Sequence, residues 1–468
     1  MKNIILLFLL LPFLALTQQQ IGQDINGETY NFLGASVSLS ADGSIVAVGV
    51  PYMLNPYNDF NRETPGRVSI YQNNSEVWEQ IGDDIIGLYP DDAFGYGLSL
   101  SSDGNTIAIG APRSSEGPRY VRVYENNSGV WEQVGDDLNG NSFFGLSVSL
   151  SSDGSKVAVS QDSDFNNIGN VRIYQNNSGV WEQVGGDINV MGFEDNVRSV
   201  SLSSDGNIVA YGTTNGTTNK VRIYENNSGV WQQIGSDLNE QHSFGNSVSL
   251  SSDGSILAVG APKGYFWDVE GKVYIYENIS GEWQQIGAPI IGDSIGDLFG
   301  NSISLSSDGN IVAVGVPGGG VGKVCVYENN SGVWQQISTT INGVTYNSLF
   351  GNSVSLSSDG SILACGAPLN NTSVYSGLVR IYDLNEELTT TEFNISNFTL
   401  YPNPAKTQFT IQLNDTSILE QVIIYNTLGQ EVLTSNDTII DTSTLASGSY
   451  IVEITTNNGK ASKKLIIE

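Results

Sequence analysis

Histidine occurs once in the 468 residues, as His242, and cysteine twice, as Cys325 and Cys365. A single histidine excludes a His-rich metal site, and any histidine-based triad would hang on that one side chain. It stands in Asn239-Glu240-Gln241-His242-Ser243 and reads as a solvated loop residue. Two cysteines make no disulfide framework, even for an exported chain, and both are expected as buried small apolar side chains. Lys and Arg are also scarce, 19 against 49 Asp and Glu, for a net charge of −30. That charge repels phosphate backbones and excludes nucleic acid as a partner. No stretch has the period of an amphipathic helix, whereas Asn, Ser and Gly abound, which suits a turn-rich β protein. Long apolar runs are missing except for Ile4 to Leu16. At 13 residues that run falls short of the roughly 20 a spanning helix needs, so no transmembrane helix is expected. Following Met1-Lys2-Asn3, it reads as a secretory signal peptide over residues 1–18, cleaved near Ala15-Leu16-Thr17.

What is present is repetition. The phrase Phe-Gly-x-Ser-Val-Ser-Leu-Ser-Ser-Asp-Gly-Ser-Ile-x-Ala-x-Gly-Ala-Pro recurs, its turn aspartates being Asp42, Asp103, Asp153, Asp205, Asp253, Asp308 and Asp359. Their spacings of 61, 50, 52, 48, 55 and 51 residues belong to propellers or solenoids. Each repeat divides into four strands. In the fifth, Phe244 to Ser251 alternates apolar residues with serines, and Ser251-Ser252-Asp253-Gly254 turns the chain. Ile256 to Gly260 is apolar throughout and predicts a strand buried on both faces. Lys272 to Tyr276 and Trp283 to Ile286 supply the third and fourth strands around the Asn278-Ile279-Ser280-Gly281 hairpin.

The ends of the repeat array choose between ring and solenoid. Six repeats finish with Trp-x-Gln-(Ile/Val), carried by Trp78, Trp131, Trp181, Trp231, Trp283 and Trp334, but the seventh stops at Ile381-Tyr382-Asp383. The missing strand lies at the other end, where Gln19-Gln20-Ile21-Gly22-Gln23-Asp24-Ile25 matches Gln232-Gln233-Ile234-Gly235-Ser236-Asp237-Leu238. An N-terminal strand that completes the last blade closes a ring and removes an open sheet edge. The expected fold is therefore all-β: a seven-bladed β-propeller over residues 19–384, its last blade closed by the N-terminal strand.

Phe94-Gly95, Phe144-Gly145, Phe244-Gly245, Phe299-Gly300 and Phe350-Gly351, with Gly110-Ala111-Pro112, Gly260-Ala261-Pro262 and Gly366-Ala367-Pro368, resemble the FG-GAP-like repeats of bacterial surface proteins. The pattern is distantly similar to the integrin α-chain propeller. Repeats three and four depart from it: Val159-Ser160-Gln161 and Tyr211-Gly212-Thr213 replace the second motif, and repeat four lacks the first.

Residues 385–397 form a polar, Thr-rich linker. Beyond it, residues 398–468 hold short alternating strands between Gly, Asn and Pro turns, which predict a small Ig-like β-sandwich. Phe398-Thr399-Leu400-Tyr401-Pro402-Asn403-Pro404, Val422 to Gln430, Leu445 to Val452 and the terminal Lys463-Lys464-Leu465-Ile466-Ile467 resemble the C-terminal sorting domain of the type IX secretion system of Bacteroidota. That resemblance implies export through the outer membrane, with residues 398–468 engaging the secretion machinery and usually being removed. The product is then secreted or held on the outer cell surface.

Most acidic residues occupy repeated positions, either the Ser-Ser-Asp-Gly turns or Asp24, Asp84, Asp137, Asp187 and Asp237. A catalytic residue need occur only once, so these read as structural, and no catalytic residue and no enzyme activity is expected. No cofactor is expected beyond weak Ca binding at Asp83-Asp84, Asp91-Asp92 or Asp293 with Asp297, because one carboxylate per turn is too few for an integrin-type cage. Asn126-Asn127-Ser128 and its equivalents match the glycosylation pattern but read as a repeated hairpin. All loop-length variation falls on one face of the disc, where second–third loops and blade-to-blade connections gather. Its aromatics, Tyr52, Tyr57 and Phe60 in one loop and Tyr265, Phe266 and Trp267 in another, are the candidate ligand-binding residues, against the alternative that they cover blade ends. The expectation is an adhesion or recognition module for an extracellular glycan or protein. The alternative is a carbohydrate-active hydrolase or lyase, which would show non-repeated carboxylates at the central opening.

Overall fold

The computed structural model describes residues 18–467 except 30, 52–63, 114–116, 164–167, 191–195, 215–218, 263–268, 371–375, 385–397, 414–418, 427–430 and 457–458. The chain divides into two compact units, residues 1–385 and 386–468.

In the first unit seven antiparallel sheets follow the seven repeats. In the fifth, the inner strand Ser247–Leu250 pairs with Ile256–Ala261, which pairs with Glu270–Ile279. The inner strand alternates, Val248 and Leu250 buried and Ser247 and Ser249 half-buried, while Leu257 to Ala261 is buried without a break. The outer strand departs from the single fourth strand expected. It is two pieces, Glu282–Gln285 and Ile290–Ile295, both paired with Glu270–Ile279. Every blade shows the same split, at the Gly after the Trp-x-Gln strand or its counterpart except in blade six, where Ser338 takes that place. At Gly82, whose φ is +71°, an added Cβ would lie 2.4 Å from the Gly129 carbonyl of the next blade, so the strand breaks where that hairpin packs against it.

Two rings of hydrogen bonds join the blades. The middle serine of each Val-Ser-Leu strand accepts the backbone N–H of the leucine in the neighbouring blade: Ser38 from Leu100, Ser99 from Leu150, Ser149 from Leu202, Ser201 from Leu250, Ser249 from Leu305, Ser304 from Leu356 and Ser355 from Leu39, at 2.9–3.0 Å. A parallel backbone ring runs through Ala41, Ser102, Ser152, Ser204, Ser252, Ser307 and Ser358 and returns to Ala41 at 2.7–2.9 Å. The sheets thus form a closed β-propeller. The N-terminal segments Gln19–Gln20 and Ile25–Asn26 pair with Leu378–Asp383 and complete the last blade. There Arg380 forks onto Asp24, with both hydrogen bonds at 2.9 Å. The same fork joins Arg122 to Asp137, Arg172 to Asp187 and Arg222 to Asp237, so these repeated aspartates hold the two outer strands of their blades together.

The turn aspartates are equally occupied. Burial alone pushes the Asp253 carboxyl up, but hydrogen bonds from the Ser255 N–H and from the Ser251 and Ser255 hydroxyls outweigh it and hold it below the usual carboxylate range. Cys325 and Cys365 are buried and unbonded to one another.

The second unit has a three-stranded sheet, Phe398–Tyr401, Gln408–Leu413 and Ile439–Asp441, and a four-stranded one ordered Glu431–Ser435, Leu419–Tyr425, Gly448–Thr456 and Gly459–Ile467. Phe398, Phe409 and Ile440 of the first share one core with Val422, Ile424, Val452 and Leu465 of the second, so the unit is a sandwich with its own interior. Asn403 ties the Tyr-Pro-Asn-Pro segment to the last strand, donating to the Lys464 carbonyl and accepting from the Ile466 N–H.

Candidate functional site

The first motif packs a fully buried phenylalanine, Phe94, Phe144, Phe244 or Phe350, between blades. Its glycine meets the glycine of the second motif in the preceding blade. A Cβ on Gly110 would stand 2.0 Å from the Gly145 carbonyl, a contact only glycine permits. Six of the seven junctions put glycine against glycine in this way, Gly212 with Gly245 among them, so repeat four keeps that role despite its altered sequence. The junction between blades three and four does not. There Ser160 replaces the glycine of blade three, and Asn196-Val197 stands where other blades have Phe-Gly. The two irregular repeats therefore meet at one place.

At that place the inner strand of blade four, Asn196–Leu202, is longer than its equivalents and carries a β-bulge between Val197 and Ser199. A bulge inserts an unpaired residue and re-aims its side chain. That residue is Arg198. It joins the residues that follow Phe-Gly elsewhere, Tyr96, Leu146, Asn246, Asn301 and Asn352, and Ala35 after Gly34, around the mouth of the central channel. The mouth is a cavity of about 480 Å³, also lined by Phe32, Leu349, Pro368 and Leu369.

Three consecutive blades fix one arc of this rim. Asn246 donates its amide to the Asn301 carbonyl at 3.2 Å, Asn301 to that of Asn352 at 3.4 Å, and Asn352 to that of Ala35 at 3.1 Å. On blade four, next to Asn246, Arg198 is exposed and, among the described residues, forms no ion pair. The charged group its field reaches is Asp162, which takes the place of Pro112, Pro262, Pro317 and Pro368 in other blades. Asp162 is 4% exposed, and its Oδ1 has no hydrogen-bond partner. Burial pushes its carboxyl up to about 6, against the lowering effects of Arg198 and the Val197 N–H.

This carboxylate carries a stability prediction. Between the ordinary value of 3.8 and about 6 the native chain binds more protons than the unfolded one, so stability falls as pH rises across that window. Asp162→Asn removes the titration. The variant is expected to exceed the parent by about 1–3 kcal/mol near pH 8 and to match it near pH 4. Thermal melts at the two pH values check this; equal increments at both would exclude the buried charge as the cause.

The loop aromatics singled out in the sequence, Tyr52, Tyr57, Phe60, Tyr265, Phe266 and Trp267, lie outside the described residues. The acidic pairs are placed differently from one another. Asp92 is fully buried and its carboxylate accepts the N–H groups of Gly66, Leu88, Tyr89 and Phe94 and the Tyr120 hydroxyl, which makes it the organiser of a blade-to-blade turn. Asp293 pairs with Lys323 at 2.8 Å, while Asp297 accepts the Phe299 N–H at 3.1 Å. Asp84 accepts from Ser69 and Gln80 on the outer rim. Among the described residues no group of three or more His, Cys, Asp or Glu could hold a metal ion. Sequence reasoning missed the rim itself. Its signal was the variable position after Phe-Gly, the first of three free letters in the repeated phrase.

The fold and its partner unit define an exported β-propeller protein. Residues 399–468 match the family model described as the secretion system C-terminal sorting domain. Proteins with this domain leave through the type IX system, and this one is delivered to the cell surface or the extracellular space. Among solved structures the chain is similar to the hydrazine synthase of Kuenenia stuttgartiensis, at 15% identity and TM-score 0.53 over 76% of this chain and 97% of that one. It is also similar to the Cps50 (Swd1) β-propeller domain of Myceliophteria thermophila, at 12% identity and TM-score 0.54 over 78% and 99%. Both likenesses are of fold alone. No curated protein matches the chain in sequence. No helix among the described residues is long and apolar enough to cross a membrane.

Proposed function

We propose that the protein is a recognition or adhesion module without catalytic activity, and that its propeller binds an extracellular glycan or protein at the axial mouth. One observation supports this above the rest: the blades repeat their structural residues faithfully, yet the seven positions around the mouth hold Ala35, Tyr96, Leu146, Arg198, Asn246, Asn301 and Asn352. A rigid ring with blade-specific residues confined to one concave opening is a scaffold carrying a site. Glycoside hydrolysis in the usual manner needs two facing carboxyl groups, and the described lining residues contribute none. Export begins with cleavage of a signal peptide at residues 1–18, which N-terminal sequencing of the exported protein tests.

The binding test is an array of extracellular glycans and proteins probed with the exported chain, followed by the same array with Asn301→Leu and Tyr96→Ala. A partner retained by the parent and lost by both variants, with melting temperatures unchanged, is the expected result. A partner bound equally by all three moves the site away from the mouth.

A further inference from the structure

Among the described residues Arg198 is the only charged side chain lining the mouth, and it is positive in a chain of net charge −30. The bulge that presents it occurs in the inner strand of one blade only, the blade that lost Phe-Gly. A guanidinium on a rim offers a planar fork of donors that matches a carboxylate bidentately. One such fork balances one single negative charge; a multiply charged phosphate or sulfate cluster would call for more cations than the lining has. Starting on the next blade, Asn246, Asn301 and Asn352 each use one amide N–H within the rim, and among the described residues their carbonyl oxygens accept nothing. Carbonyl oxygens in an arc accept hydroxyl groups. Between them lie Phe32, Tyr96, Leu146 and Leu349, which offer aromatic and apolar surface to a ring. About 480 Å³ is small-ligand size and far below a protein footprint.

We propose that the axial mouth takes a carboxylated sugar, with Arg198 holding the carboxylate and the Asn246–Asn301–Asn352 arc holding ring hydroxyls. This deepens the recognition reading above and rests on it. An acidic peptide would satisfy Arg198 and leave the asparagine arc without hydroxyls to receive, so the sugar uses more of what is there. Asp162 is the second observation at the same junction. It stands where other blades hold proline, and although its carboxyl accepts the Val197 N–H, its Oδ1 lacks a partner. Its charge attracts Arg198 without an ion pair between them among the described residues, so the fork stays available to a ligand.

The test titrates the whole chain from Gln19 with oligogalacturonate, with the matching neutral galactose oligomer, and with a Glu-rich peptide. Oligogalacturonate is expected to bind at least 10-fold more tightly than the neutral oligomer, and more weakly as salt is raised. Arg198→Gln is expected to weaken uronate binding by about 10- to 100-fold, as loss of charged hydrogen bonds does, while leaving the melting temperature alone. Arg198→Lys, which keeps charge without the fork, should recover part of it. Equal binding of acidic and neutral oligomers, unchanged affinity in Arg198→Gln, preference for the peptide, or no binding of the uronate overturns the proposal. A neutral glycan or protein that binds the mouth, lost in Asn301→Leu but not in Arg198→Gln, overturns the acidic-sugar proposal and keeps the recognition reading. Loss of that reading shows instead as partners indifferent to every rim substitution.

Discussion

A chain that begins at residue 27 is expected to melt at least 15 °C below one that begins at Gln19, and to aggregate once melted. Three separate interactions disappear with the segment. Ile25, 5% exposed, leaves the core it shares with Leu33, Val379 and Ile381, at about 1.5–3 kcal/mol. Arg380 loses Asp24 and keeps a mostly buried guanidinium without its carboxylate. The Ile21 carbonyl no longer accepts the Trp78 indole, the link by which blade seven grips blade one at the rim. With the lost strand pairing the total is on the order of 5 kcal/mol or more, comparable to the whole stability of many domains. The strand Leu378–Asp383 then presents an open edge, the usual template for aggregation. A synthetic peptide spanning residues 18–27 should restore part of the lost melting temperature. The Arg380 hydrogen bonds hold the Asp24 carboxyl below its ordinary range, so the stability that this latch adds is present above about pH 4 and lost as pH falls further. An unchanged melt in the shortened chain would refute the latch.

That closure was legible in the sequence because the N-terminal segment carries the same Gln-(Ile/Val)-Gly-x-Asp phrase as the outer strands of blades one to four. The sheets were legible for a related reason: Val-Ser-Leu alternation and Ser-Ser-Asp-Gly turns are local, and local signals repeated in phase reinforce one another. What stayed hidden depends on contacts between repeats. The alternation of Val-Ser-Leu gave its serines no role, yet Ser249 and its equivalents clamp adjacent blades, a role that appears only once the strands stand side by side around the axis. The break in the outer strand was hidden too, because it follows from the neighbouring hairpin pressing on Gly82 rather than from any breaker within the strand. The two departures in repeats three and four read as separate irregularities. Only the junction shows that Ser160 and Arg198 belong together, and that the cavity rim draws one residue from each of seven distant segments.

Deleting residues 398–468 is expected to abolish delivery outside the cell while leaving the propeller folded. The two units have separate interiors: the sandwich core is made wholly of residues from Phe398 onward, and the propeller closes on itself through Gln19–Gln20 and Ser355 without any of them. A truncation at residue 384 removes one core entire and cuts into neither, so the melting temperature of the remaining propeller should stay within a few degrees. Export should fail because residues 399–468 are the part the secretion machinery reads. Fractionation of cells expressing the truncated and complete chains measures both halves of the expectation, with the truncated protein held inside the envelope, soluble and resistant to protease. A reporter domain carrying residues 385–468 at its C-terminus should be exported in turn. Phe409→Ala provides the graded case, since removing a fully buried aromatic costs about 3–5 kcal/mol and unfolds a small sandwich without touching the propeller. Its export should fall with the folded fraction of the sandwich. Truncated protein outside the cell at normal abundance would remove residues 399–468 from the export route and leave the propeller to account for its own delivery.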